Sequence, residues 1–170
     1  TMDTLRPDTH LVPIPPPRRG STIHIGLPAP IHVEEWEHSL LSHCQPNLPR
    51  DEMATHVLAG TLITCSDGSS WDEDGGAFGY VIATPDGERL LYGKGPAPGA
   101  HSNSFRSEAY GVLATVRWLH HALVQWPIVH QPVVTHYLDN SSVIRRIKRT
   151  LETTWAVPNH RLLPEQDVMG

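Results

Sequence analysis

The chain has 170 residues, with 13 basic and 18 acidic side chains for a net charge of −5, and 39% of it is hydrophobic. That balance argues against a general polyanion binder, and no apolar run approaches the ~18 residues needed to span a membrane. The two cysteines, Cys44 and Cys65, lack C-x-x-C spacing and exclude a disulfide scaffold or a cysteine-built zinc site.

Proline is unevenly spread, with nine of the 16 falling before residue 60. This predicts two parts: residues 1–59 as a Pro-rich, partly disordered arm or linker with short helices, and residues 60–170 as the folded domain. The run from Val12 to Gly20 (VPIPPPRRG) favours polyproline II. It reads as a linker, or as a Pro-x-x-Pro ligand through Pro13 and Pro16. Residues 31–44 carry a loose helical stripe (Ile31, Val33, Trp36, Leu40, Leu41), and residues 51–59 form a short helix stopped by Gly60. No secretory leader pattern stands at the start, so an intracellular setting, cytoplasm or nucleus, is expected. The opening Thr1–Met2 suggests a piece of a longer protein.

From Gly60 the pattern becomes β-rich. TLITCSDGS is a strand in which Ile63, Cys65 and Asp67 share one face, with Asp67 at its end. A Gly-rich stretch follows, then a hairpin turning at Pro85–Gly87. SFRSEAYGVLATVRWLHHAL is the clearest helix, with Phe105, Ala109, Val112, Val116, Leu119 and Leu123 as its apolar stripe. VVTHYLD is a strand, and NSSVIRRIKRTLE is a helix capped by Asn140 or Ser141. The order β-β-β-α-β-α makes the last strand parallel to its neighbour, giving a mixed α/β sheet.

Three carboxylates stand where burial is costly: Asp67 at a strand end, Glu108 beside a helical apolar stripe, and Asp139 at the end of a β run. Each has a plain local reading, as turn former, helix N-terminal acid and helix cap respectively. Gathered at one spot, oxygen ligands suit hard divalent cations of the kind that hydrolyse phosphodiesters.

The motifs Ser66–Ser69 (SDGS), Gly75–Ile82 (GGAFGYVI), Ser102–Ala114 (SNSFRSEAYGVLA) and Tyr137–Ile147 (YLDNSSVIRRI) resemble the ribonuclease H domain of retroelement reverse transcriptases. The resemblance covers roughly residues 60–150 and rests most on the order Asp, Glu, Asp. It implies a ribonuclease H-like fold in which Asp67, Glu108 and Asp139 bind two Mg²⁺ or Mn²⁺ ions and cleave the RNA strand of an RNA–DNA hybrid. Ser69, Asn140, Arg145 and Arg146 are the expected nucleic-acid contacts, and a tethered reverse transcriptase is the expected neighbour.

The family also uses a fourth carboxylate, near the start of a last helix after a fifth strand. Asp167 is the late candidate and His160 the nearby histidine, but PEQDV reads better as a helix start. The fragment is therefore expected to lack its last strand and helix, and a catalytically degenerate nucleic-acid-binding or structural segment is the alternative. An integrase-type enzyme would need the order Asp, Asp, Glu. A polymerase site would need a second Asp where Asn140 stands.

Overall fold

The structure is a computed structural model that describes residues 20–72, 75–98, 103–127, 130 and 132–152. Its first elements are strands β1 (Ser21–Ile23) and β2 (Ile31–Val33), helix α1 (Glu35–Leu41), strand β3 (Gln45–Pro46) and helix α2 (Arg50–Leu58). Strands β4 (Thr61–Asp72), β5 (Gly75–Ala83) and β6 (Arg89–Pro96) follow. Helix α3 (Ser104–Gln125), strand β7 (Val133–Tyr137) and helix α4 (Ser141–Glu152) complete the chain order. No described helix is long and apolar enough to cross a membrane.

Strict alternation builds the sheet. Along β5 every second residue is buried, so Phe78, Tyr80 and Ile82 face the core. The turn into β6 closes with Gly87 at φ 95° and the Gly87 N–H donating to Thr84 O at 3.0 Å. The five-stranded sheet has the order β3-β6-β5-β4-β7. β4, β5 and β6 form an antiparallel meander, and β7 lies parallel to β4. From β4 onward the element order β-β-β-α-β-α, with β7 parallel to β4, is the mixed α/β sheet expected from the sequence.

Two features differ from expectation. The boundary near Gly60 is not where packing starts. Ile25, Val33, Leu40, Leu41, Met53 and Val57 are buried in the same core as Leu62, Ile82 and Trp118. β3 pairs with β6 inside the main sheet, and β1 and β2 form their own two-stranded pair. The prolines at positions 28, 30, 46 and 49 sit in turns and at element ends, where they are compatible with packing. The polyproline-like run before Gly20 lies outside the described residues.

The apolar stripe of α3 is only partly on its expected side. Ala109 and Leu119 of the stripe are buried, but Val116 is 53% and Leu123 38% exposed, and Ser107, Gly111, Ala114, Trp118 and Ala122 are buried beside them. Small residues win the sheet face because the helix backbone lies almost on β4. The larger apolar side chains Val112, Leu113 and Val116 instead line a groove with Ile147 and Leu151 of α4.

The N-terminal elements are tied to α3 by polar links. The Trp118 indole N–H donates to Ile25 O at 3.1 Å. Buried Glu37 of α1 accepts from Arg117 Nε at 2.7 Å and bonds His121 Nε2 at 2.6 Å. Burial alone would raise the Glu37 pKa, but Arg117 and His121 outweigh it and hold the carboxyl below its ordinary range. Its stabilisation is therefore present above the ordinary carboxylate pKa and lost as pH falls through the lowered value. Glu37→Ala, which leaves Arg117 and His121 without their shared acceptor, is expected to cost about 2–4 kcal/mol, read as a thermal midpoint lowered by roughly 10 °C at neutral pH.

Candidate active site

Asp67 does not end a strand and does not form a turn. β4 continues to Asp72, so Asp67 stands in mid-strand, on an exposed face with Cys65. The buried face of β4 is Leu62, Thr64 and Ser66, the reverse of a core placement for Asp67. The glycine after it serves close approach. A Cβ on Gly68 would overlap the Glu108 amide nitrogen and lie 2.8 Å from Ser107 Cβ. Strand and helix backbones therefore touch here, and the Ser107 hydroxyl donates to Ser69 O at 2.9 Å.

That contact delivers Glu108. Asn103 caps α3 by accepting from the Arg106 N–H at 2.8 Å, which places Glu108 beyond the first turn and away from the N-terminal dipole. Glu108 is only 3% exposed and is aimed across Gly68. Asp139 is not the cap of α4. Asn140 performs that task, its Oδ1 accepting from the Ser142 N–H at 3.1 Å and the Val143 N–H at 3.2 Å. Asp139 is left exposed at the end of β7, free of capping duty.

Ligand oxygens of Asp67, Glu108 and Asp139 all lie within 4.8 Å of one another. Oxygens on opposite sides of one Mg²⁺ are ~4.2 Å apart, so the cluster is close to cation-holding dimensions. Glu108 Oε2 is buried without a hydrogen-bond partner among the described residues. An orphaned carboxylate oxygen beside two further carboxylates is a donor set that fits a hard divalent cation.

The electrostatics agree. Burial, with the charges of Asp139 and Asp67 beside it, pushes the Glu108 pKa from 4.5 up to about 7, against the lowering effect of the Gly68 N–H. Without a cation, the stability this proton supplies is full below 4.5 and is lost as pH rises through about 7. In EDTA the wild type is expected to lose about 1–3 kcal/mol between roughly pH 5 and pH 8, and Glu108→Gln to remove that loss. Thermal melts across this pH range check it.

One positioning residue escaped the sequence reading. His136 of β7 bridges two β4 hydroxyls, with Nδ1 2.7 Å from Thr64 Oγ1 and Nε2 3.0 Å from Ser66 Oγ. Burial lowers its pKa and favours the neutral ring, which holds β7 against β4 just before the two strands present Asp67 and Asp139. Nothing in VVTHYLD separates such a histidine from any other in a strand. Of the expected nucleic-acid contacts, Ser69 is exposed two residues beyond Asp67, and Asn140 is half-buried at its cap. Arg145 is exposed and Arg146 half-buried on α4. Asp167 and His160 lie outside the described residues.

No family model and no curated protein matches the chain. Among solved structures it is similar in outline to two ribonucleases. One is LC11-RNase H1 crystallised in complex with an RNA/DNA hybrid, at TM-score 0.43 and 12% identity over 63% of this chain and 75% of that one. The other is RNase H1 from the halophilic archaeon Halobacterium salinarum NRC-1, at TM-score 0.42 and 14% identity over 64% and 74%.

Proposed function

We propose that the chain is a metal-dependent endonuclease that cleaves the RNA strand of RNA–DNA hybrids, as a segment of a retroelement polyprotein. The observation that carries this is the meeting of Asp67, Glu108 and Asp139, from three separate elements, around an orphaned buried oxygen. The order Asp, Glu, Asp on strand, helix and strand end, with the motifs quoted above, supports the ribonuclease H reading over a general cation site.

Asp67, Glu108 and Asp139 would together hold two Mg²⁺ or Mn²⁺ ions. Ions bound there supply a hydroxide at neutral pH and stabilise the leaving oxygen. Glu108 is fixed by the Gly68 N–H and its burial, and the exposed Asp67 and Asp139 leave their side of the cluster open to a phosphodiester. Selection of a hybrid would come from 2′-hydroxyl contacts across a wide minor groove, not from reading bases. With a net charge of −5, binding by the segment alone is weak and gains from a tethered reverse transcriptase.

The test is Mg²⁺-dependent cleavage of an end-labelled hybrid, with duplex DNA and duplex RNA as controls. Equal cleavage in EDTA, or by Asp67→Asn, overturns the reading. A hybrid bound but left intact by the wild type in Mg²⁺ and Mn²⁺ selects the degenerate nucleic-acid-binding alternative.

A further inference from the structure

Sheet register places a basic feature in line with the carboxylates. Asp67 pairs with Gly79, and Gly79 pairs with Lys94 of β6. Residues directly paired point to the same face. That face is the one opposite Leu62, Ser66, Phe78 and Ile82, whose side chains are buried in the core. At ~4.8 Å per strand, Lys94 stands ~10 Å from Asp67 across the sheet. Asp139 extends the row at the acidic end, two residues beyond Tyr137, which pairs with Cys65. His43 extends it at the basic end, two residues ahead of Gln45, which pairs with Tyr92.

The middle of the row is bare. Among the described residues, a Cβ on Gly79 would have only Gly93 O, at 3.8 Å, within van der Waals reach. Beside the basic end lies an open groove lined by His43, Trp71, Ala77, Lys94 and Pro96. Trp71 is 63% exposed, two residues beyond Ser69 on the strand that carries Asp67. The groove thus joins an aromatic plane, a low apolar floor and a cation, the combination that follows a sugar–phosphate backbone.

We infer that this groove is a second nucleic-acid contact: Lys94, with His43 beside it, holds a backbone phosphate about two strands from the carboxylates, and Trp71 stacks on the same strand. The inference rests on the nuclease reading above and names a subsite for it. A nucleic-acid backbone is the occupant because the row runs from an acidic end suited to a cation to a basic end suited to a phosphate, past a glycine with open space around it among the described residues.

Binding of a labelled hybrid, measured by fluorescence anisotropy in the Asp67→Asn background, tests it. Lys94→Ala is expected to weaken binding about 3–10-fold at low salt and to flatten the salt dependence by about one counterion. Trp71→Ala is expected to weaken it about fivefold or more with the salt slope unchanged. Arg50→Ala, the same charge removed from an exposed position on α2, is expected to change neither. Because Lys94 and Trp71 are exposed, thermal midpoints should stay within a few degrees of the parent. If the wild type cleaves a hybrid and Asp67→Asn abolishes cleavage, yet Lys94→Ala binds with unchanged affinity and slope, this inference fails and the nuclease reading stands. A wild type that neither binds nor cleaves a hybrid overturns both.

Discussion

Asp67→Asn is expected to lower Mg²⁺-dependent hybrid cleavage by roughly 10³-fold or more while leaving the fold intact. The magnitude follows from the several kcal/mol of charge stabilisation that a metal site supplies at a reacting phosphate, and from ~1.4 kcal/mol per tenfold in rate. The fold is spared because Asp67 is exposed and asparagine has its size and shape. The substitution also has a signature that mere disruption lacks. The Asp67 charge is one of the causes that raise the Glu108 pKa, so its removal should bring that pKa down from about 7. The metal-free stability profile of Asp67→Asn should therefore start to fall near the same pH as that of the wild type but level off at a lower pH, with a smaller total loss. Loss of cleavage together with this shift places Asp67 in electrostatic contact with Glu108. Cleavage retained within tenfold of wild type removes Asp67 from the site.

What the sequence could and could not announce follows from the kind of physics involved. β5 and the turn at Gly87 were legible because alternation and a positive-φ glycine act locally. The parallel pairing of β7 with β4 was legible from element order alone. The candidate carboxylates were legible as residue types out of place, but not their surroundings. Alternation with apolar Ile63 and Cys65 points Asp67 to a core face. The buried face is the one with Thr64 and Ser66, where His136 satisfies the hydroxyls. The stripe of α3 misled for a related reason. Helical periodicity finds large apolar side chains, and a helix that rests backbone-close on a strand must present small ones there. The N-terminal forty described residues hid their packing because their strands are only two or three residues long, too short for a period to register.

Gly68 brings these points to one experiment. As the second residue of an Asp-Gly turn it would tolerate alanine at a cost below about 1 kcal/mol. As the point where β4 meets α3 it cannot. The added Cβ would overlap the Glu108 amide nitrogen and the Ser107 carbonyl carbon, both backbone atoms that no rotamer change can move. One turn further along α3, a Cβ on Gly111 would stand 2.9 Å from Ser66 Cβ, so the helix is held close over a full turn and cannot tilt away at a single residue. Relief requires shifting the whole helix. Gly68→Ala is expected to cost about 3 kcal/mol or more, a fall of roughly 10 °C in thermal midpoint. The same shift separates Asp67 from Glu108, and a displacement of about 1 Å is enough to lower cleavage by about 10²-fold in the fraction that remains folded. Gly79→Ala is the comparison within the same sheet. Its Cβ would enter open space 3.8 Å from Gly93 O, so its thermal midpoint should match or slightly exceed the wild type. Equal, small effects of the two substitutions would mean that β4 and α3 do not touch at Gly68, and would separate Glu108 from the other two carboxylates. A large loss at Gly68 beside none at Gly79 ties the stability of the sheet–helix contact to the geometry that gathers the three acids.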